Sequence, residues 1–106
     1  MKKVVLFAVV LILALTTHFS FAQDGAATFK SKCAMCHGPD ASGKTPMGEK
    51  LNIRDLRSAD VQKQTDAELA QIVTKGKNKM PSYDGKLTKE QIAQVVAYVR
   101  ELAKKK

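Results

Sequence analysis

Residues 33–37 read Cys-Ala-Met-Cys-His. Two thiols three positions apart, followed at once by an imidazole, are what attaching a c-type haem requires. Each sulfur can form a thioether to one vinyl group of a single porphyrin, and the adjoining ring can then bind the iron from one face. The chain has 2 cysteines in all, so no disulfide framework competes for them. Three other chemistries use similar residues. A thiol redox pair usually sits between a strand and a helix, and no apolar strand run precedes Cys33. Structural zinc takes about four ligands; Cys33, Cys36 and His37 supply three, and His18 lies in a segment expected to be removed. A Cys33–Cys36 disulfide would close a very short loop and stabilise little. Haem attachment is the reading kept.

The second axial ligand decides whether the iron is closed or open. A thioether opposite histidine raises the reduction potential and shuts out exogenous ligands. Met35 lies inside the motif, on the same side as His37. Met47 follows His37 by 10 residues, in a loop expected to run along that side too. Met80 follows by 43 residues and precedes Pro81, which disfavours helix at Met80. With Lys79 and Ser82 nearby, a purely structural methionine would have little core to join. Met80 is assigned as the ligand, with a packing methionine as the competing reading.

The elements that must hold these residues read as helices. The segment Asp24 to Cys36 is predicted helical with Asp24 as N-cap, and Phe29 shares a face with Cys33. Gly38-Pro39 should break it, and residues 38–50 read as loop. Leu51, Ile53 and Leu56 are expected to face cofactor or core, and Ser58-Ala59-Asp60 to open a short turn or helix. Thr65 and Glu68 form a capping-box signature before Leu69, Ile72 and Val73, and Gly76 ends that helix. Residues 77–87 form a second loop. Thr88 and Gln91 repeat the capping pattern ahead of Ile92, Val95, Val96, Val99 and Leu102, one apolar helical face. The C-terminal lysines suit the negative end of the helix dipole. The fold class is all-α: three to four short helices wrapped around one covalently bound haem.

The N-terminus sets the compartment. Lys2 and Lys3 precede an apolar run from Val4 to Leu15, and Ser20-Phe21-Ala22 has small residues where a signal peptidase reads. Residues 1–22 are predicted to be a signal peptide, cleaved after Ala22, for a periplasmic or otherwise exported protein. An uncleaved anchor is the alternative, since Val4 to Ala22 approaches the length of a bilayer span. Residues 23–106 suffice for one small domain, which buries a modest core and benefits from a staple such as haem. The formal charge is +8, or +6 without Lys2 and Lys3. A basic surface suits acidic protein partners. Nucleic acid is not expected, because the chain is exported and lacks the basic-aromatic repeats of single-strand binders.

The chain resembles the class I c-type cytochromes over residues 24–103. The likeness rests on Cys33-Ala34-Met35-Cys36-His37, on Met80-Pro81 and on the C-terminal amphipathic helix. The resemblance implies a cytochrome c domain at 23–106 that carries one haem c and transfers single electrons between redox proteins, as a diffusing monomer rather than an enzyme. It also implies crossing terminal helices, with Gly25 and Phe29 meeting Tyr98. A proline carbonyl should accept the His37 imidazole N–H, with Pro46 the better match and Pro39 the alternative. Tyr83 reads either as a propionate contact or as packing, and Arg54 and Arg57 either as propionate partners or as solvated charges. Lys75, Lys77 and Lys79 flank the ligand loop and are expected to steer acidic docking surfaces. A haem sensor or small catalytic haem protein with an open or labile distal site is the alternative function, should Met80 only pack. Because haem completes the core, haem-free protein should show no cooperative thermal transition by circular dichroism, whereas the red holoprotein should melt sharply.

Overall fold

Among the described residues, the two longest helices, α1 (Phe21–Lys32) and α6 (Lys89–Lys104), cross where one of them has no side chain. The computed structural model describes residues 21–106; the predicted leader, apart from Phe21 and Ala22, lies outside the described residues. At the crossing, a Cβ on Gly25 would run into the backbone carbonyl of Gln94. The helix backbones therefore touch directly. One turn on, Phe29 is 1 % exposed and meets Tyr98 edge-on, with ring centroids 5.4 Å apart. Phe29, Cys33, Ala41, Val95 and Val99 form the buried cluster, and Leu56, Tyr98 and Leu102 pack around it.

Helix α6 forms as its sequence indicates. The Thr88 hydroxyl accepts from the Gln91 N–H (3.1 Å), and the Gln91 side chain accepts from the Thr88 N–H (2.8 Å). Ile92, Val95, Val96 and Val99 are its buried face. Helix α1 departs from expectation at both ends. Asp24 lies in its first turn rather than capping it, since the helix already includes Phe21. At the other end α1 stops at Lys32, and a separate turn, α2 (Ala34–His37), begins after Cys33. Gly38, with φ of 84°, ends α2 where the Gly-Pro pair predicted a break.

A further helix, α3 (Pro46–Lys50), occupies residues read as loop. Proline breaks a helix interior but suits its first position, where no N–H is needed. The Thr45 hydroxyl caps it by accepting from the Gly48 N–H (2.8 Å). Next come α4 (Ala59–Gln62), capped by Ser58, and α5 (Asp66–Lys75), capped by Thr65 and ended at Gly76. Arg100 of α6 clamps the α4–α5 connection. Its guanidinium donates to the Gln62 carbonyl (2.9 Å), the Gln64 carbonyl (2.6 Å) and the Asp66 carboxylate (3.0 Å).

Among the described residues there is no strand, only two isolated bridges, and no helix is long and apolar enough to cross a membrane. The architecture is the all-α one expected, with three substantial helices and three single turns among the described residues. Gly25→Ala should lower the melting temperature of the holoprotein. Overpacking against rigid backbone costs about 1–3 kcal/mol or more, while alanine's helix preference offsets ~1 kcal/mol. An unchanged or raised melting temperature would mean the helices part freely.

Candidate haem-binding site

The break at Cys33 puts three chemical groups on one surface. Cys33 sits at φ −118°, ψ −32°, between the two helices. Its N–H still donates to the Phe29 carbonyl (2.8 Å), and its own carbonyl accepts from the His37 N–H (2.9 Å). The chain is re-aimed without losing its hydrogen bonds. Cys33, Cys36 and His37 all line a cleft of roughly 530 Å³, whereas Met35 between them is 80 % exposed.

The motif's backbone is pinned from the following loop. The Thr45 hydroxyl donates to the Cys36 carbonyl (2.9 Å), and the Gly43 N–H donates to the His37 carbonyl (2.7 Å). Gly48 is in such close contact that a Cβ there would strike the Cys36 and Gly43 carbonyls. The expected bond from the His37 ring to a proline carbonyl is not made. His37 Nδ1 is buried without any hydrogen-bond partner. Pro46 opens α3, so its carbonyl is directed along that helix axis; it is Thr45, not Pro46, that reaches back to the motif.

Burial governs the ionisation of these groups. Burial, and next the neighbouring Cys36, push the Cys33 thiol up to about 11, so it is protonated at neutral pH. Neither cysteine is in a disulfide. Burial also holds His37 below its ordinary value, which favours the neutral imidazole with a free lone pair.

The remaining walls are apolar. Leu51, Ile53 and Leu56 line the cleft as expected, joined by Val61, by Leu69, Ile72 and Val73 of α5, and by Val95, Val96 and Val99 of α6. Met80 is the only methionine on these walls among the described residues, and Met47 is 40 % exposed elsewhere. The loop that carries Met80 is tightly folded. Lys77 and Met80 exchange backbone hydrogen bonds of 3.1 and 2.9 Å around Asn78, whose φ is 54°. Beyond Pro81, the Ser82 hydroxyl donates to the Thr74 carbonyl (2.6 Å), and the Tyr83 N–H to the Val73 carbonyl (3.1 Å). The Tyr83 ring lines the cleft, and its hydroxyl donates to the Lys32 carbonyl (3.0 Å).

Of the two arginines, Arg54 lines the cleft. Arg57 instead forks onto the Asp55 carboxylate at 2.9 Å through both nitrogens, and this pairing holds Asp55 below the usual carboxylate range. Lys32, Lys77 and Lys79 stand on the cleft wall and Lys75 does not. Gln64 was not foreseen. It lines the cleft with its side-chain oxygen buried and unpartnered, while Arg100 holds its backbone. A glutamine one residue before an N-cap carries no sequence signal of burial; only the clamp by α6 turns it inward.

These residues fit a haem. Two unpaired thiols, a half-buried neutral imidazole and a thioether share one cleft whose volume falls in the ~300–1,000 Å³ range of ligand sites. Among the described residues, no group of three or more His, Cys, Asp or Glu converges to hold a metal ion.

Known proteins are similar to this chain in sequence. The family described as cytochrome c oxidase, cbb3-type, subunit III matches residues 20–99. A cytochrome c6 from Nostoc sp. is 39 % identical over 93 % of this chain and 92 % of its own length. A Synechococcus sp. cytochrome c6 is 33 % identical over 99 % of this chain and 96 % of its own. One from Parathermosynechococcus lividus is 38 % identical over 77 % of this chain and 91 % of its own. With the attachment motif, the helical fold and near full-length relatives in accord, this chain belongs to the class I c-type cytochromes, with one haem c bound covalently through Cys33 and Cys36.

Proposed function

We propose that this protein is an exported carrier of single electrons between redox proteins, with His37 and Met80 as the axial ligands of its haem iron. The observation that supports this most directly is the shared cleft: Met80 reaches it from a folded loop, while Met35 and Met47 stay outside. When bound, the haem supplies a metal that takes up and gives back one electron. The chain's own residues provide the rest. Cys33 and Cys36 tether the group, His37 offers a neutral imidazole, and the aliphatic walls exclude water. A thioether opposite an imidazole raises the reduction potential.

Residues 1–22 act as a signal peptide, cleaved after Ala22, and 23–106 are the cytochrome c domain. The mature protein diffuses as a monomer, without stable membrane insertion. Its partners present acidic docking surfaces, because Lys32, Lys77, Lys79 and Arg54 stand around the cleft in a mature chain of +6.

An ultraviolet-visible spectrum of purified holoprotein in both oxidation states tests the ligand pair. Wild type should show the weak far-red band of sulfur-to-ferric-iron charge transfer. Met80→Ala should lose that band and bind carbon monoxide rapidly in the ferrous form. Rapid binding by wild type at neutral pH would instead favour a sensor or small catalyst with a labile distal site.

Charge reversal tests the docking surface. Replacing Lys75, Lys77 and Lys79 with glutamate should slow electron transfer to an acidic partner about tenfold or more at low salt and weaken its dependence on ionic strength. Unchanged rate and salt response in stopped-flow transfer would rule out steering by these lysines.

A further inference from the structure

We infer that Tyr83 is a positioning residue for Met80: its hydroxyl latches the ligand loop to the end of the attachment helix and so sets how often the loop opens. This rests on the His37 and Met80 ligand pair proposed above. The Tyr83 hydroxyl donates to the Lys32 carbonyl at 3.0 Å, across 51 residues of sequence. Lys32 is the last residue of α1, and Cys33 follows it directly. A carbonyl in the last turn of a helix lacks an intrahelical donor, so it accepts an outside one readily.

The loop's other anchors are of a different kind. The Tyr83 N–H, the Asp84 N–H and the Ser82 hydroxyl all bond to Val73 or Thr74, on the helix from which the loop leaves. Such bonds tie the loop to α5 and do not reach the attachment motif directly. Among the described residues, Tyr83 makes the only hydrogen bond from residues 77–87 to α1 or α2. It therefore joins the polypeptide that offers the thioether to the polypeptide that carries the thiols and the imidazole.

The link to Met80 has little slack. Tyr83 is three residues beyond it, and Pro81 between them fixes one backbone dihedral. The Lys77–Met80 exchange holds the other side of the turn. A displacement of Met80 away from the motif must therefore pull on the Tyr83 anchor. Phenylalanine would fill the same part of the wall but leave the Lys32 carbonyl to water, at an exposed residue where water can take it. The fold should survive this change while the loop opens more often. Loss of one neutral hydrogen bond corresponds to about a two- to tenfold rise in the open population.

The test uses wild-type, Tyr83→Phe and Ser82→Ala holoproteins. Imidazole is titrated into each ferric protein while the far-red sulfur-to-iron band is followed. Tyr83→Phe should start with the band intact and bind imidazole about two- to tenfold more tightly. Ser82→Ala breaks a loop bond made to α5, and should bind as wild type does. Equal affinities for wild type and Tyr83→Phe would overturn the latch while leaving the ligand pair standing. So would an equal gain in Ser82→Ala, which would mean general loosening of the loop. If wild type itself lacks the band, the ligand pair falls and the latch falls with it.

Discussion

Cys33 belongs to the hydrophobic core as much as to the haem motif. It is 9 % exposed and packs in one cluster with Phe29, Val95 and Val99. The position of the first thioether sulfur is thus set by the crossing of α1 over α6. That crossing depends in turn on Gly25, where any side chain would meet the Gln94 carbonyl. Close-packed interiors transmit small displacements. Packing of the terminal helices and placement of the cofactor are one constraint, and in a chain this short they share the same few side chains.

From that fixed point the site is built by two separate devices. The motif is held as backbone: Thr45 takes the Cys36 carbonyl, Gly43 the His37 carbonyl, and Gly48 allows the loop to approach. On the facing wall, Met80 is carried onto the same cleft by a tight turn at residues 77–80 hung from the end of α5. Arg100 braces the α4–α5 connection that leads into that helix. Aliphatic side chains from four segments then make a cleft suited to an apolar disc with charged groups at its edge, where Lys32, Lys77, Lys79 and Arg54 stand. Electron transfer needs a buried metal environment and an accessible, charged approach, and this arrangement provides both.

Local signals were readable wherever the chemistry was itself local. Caps at Ser58, Thr65 and Thr88 and stops at Gly38 and Gly76 involve side chain and backbone a few residues apart, so their residue types suffice. The misreadings came where a residue has two uses. Asp24 suits an N-cap or a first turn, and the helix around it extends further back. Pro46 can punctuate a loop or open a helix, and with Thr45 before it, it opens α3. Arg57 had a carboxylate two residues away and took it, leaving Arg54 on the cleft. Gln64 and the Tyr83 hydroxyl were beyond reach, since their surroundings come from residues distant in the chain.

The sequence by itself determined the cofactor, because two cysteines and a histidine at that spacing are a covalent specification that needs no long-range packing. It also determined the helical class, through apolar residues recurring at helical intervals between capping residues. Only the tertiary structure decided how the Met80 loop is anchored, which proline or threonine touches the motif, and where tyrosine's hydroxyl goes. Those outcomes depend on distances between segments tens of residues apart, which helix crossing and loop closure set jointly and no local pattern encodes.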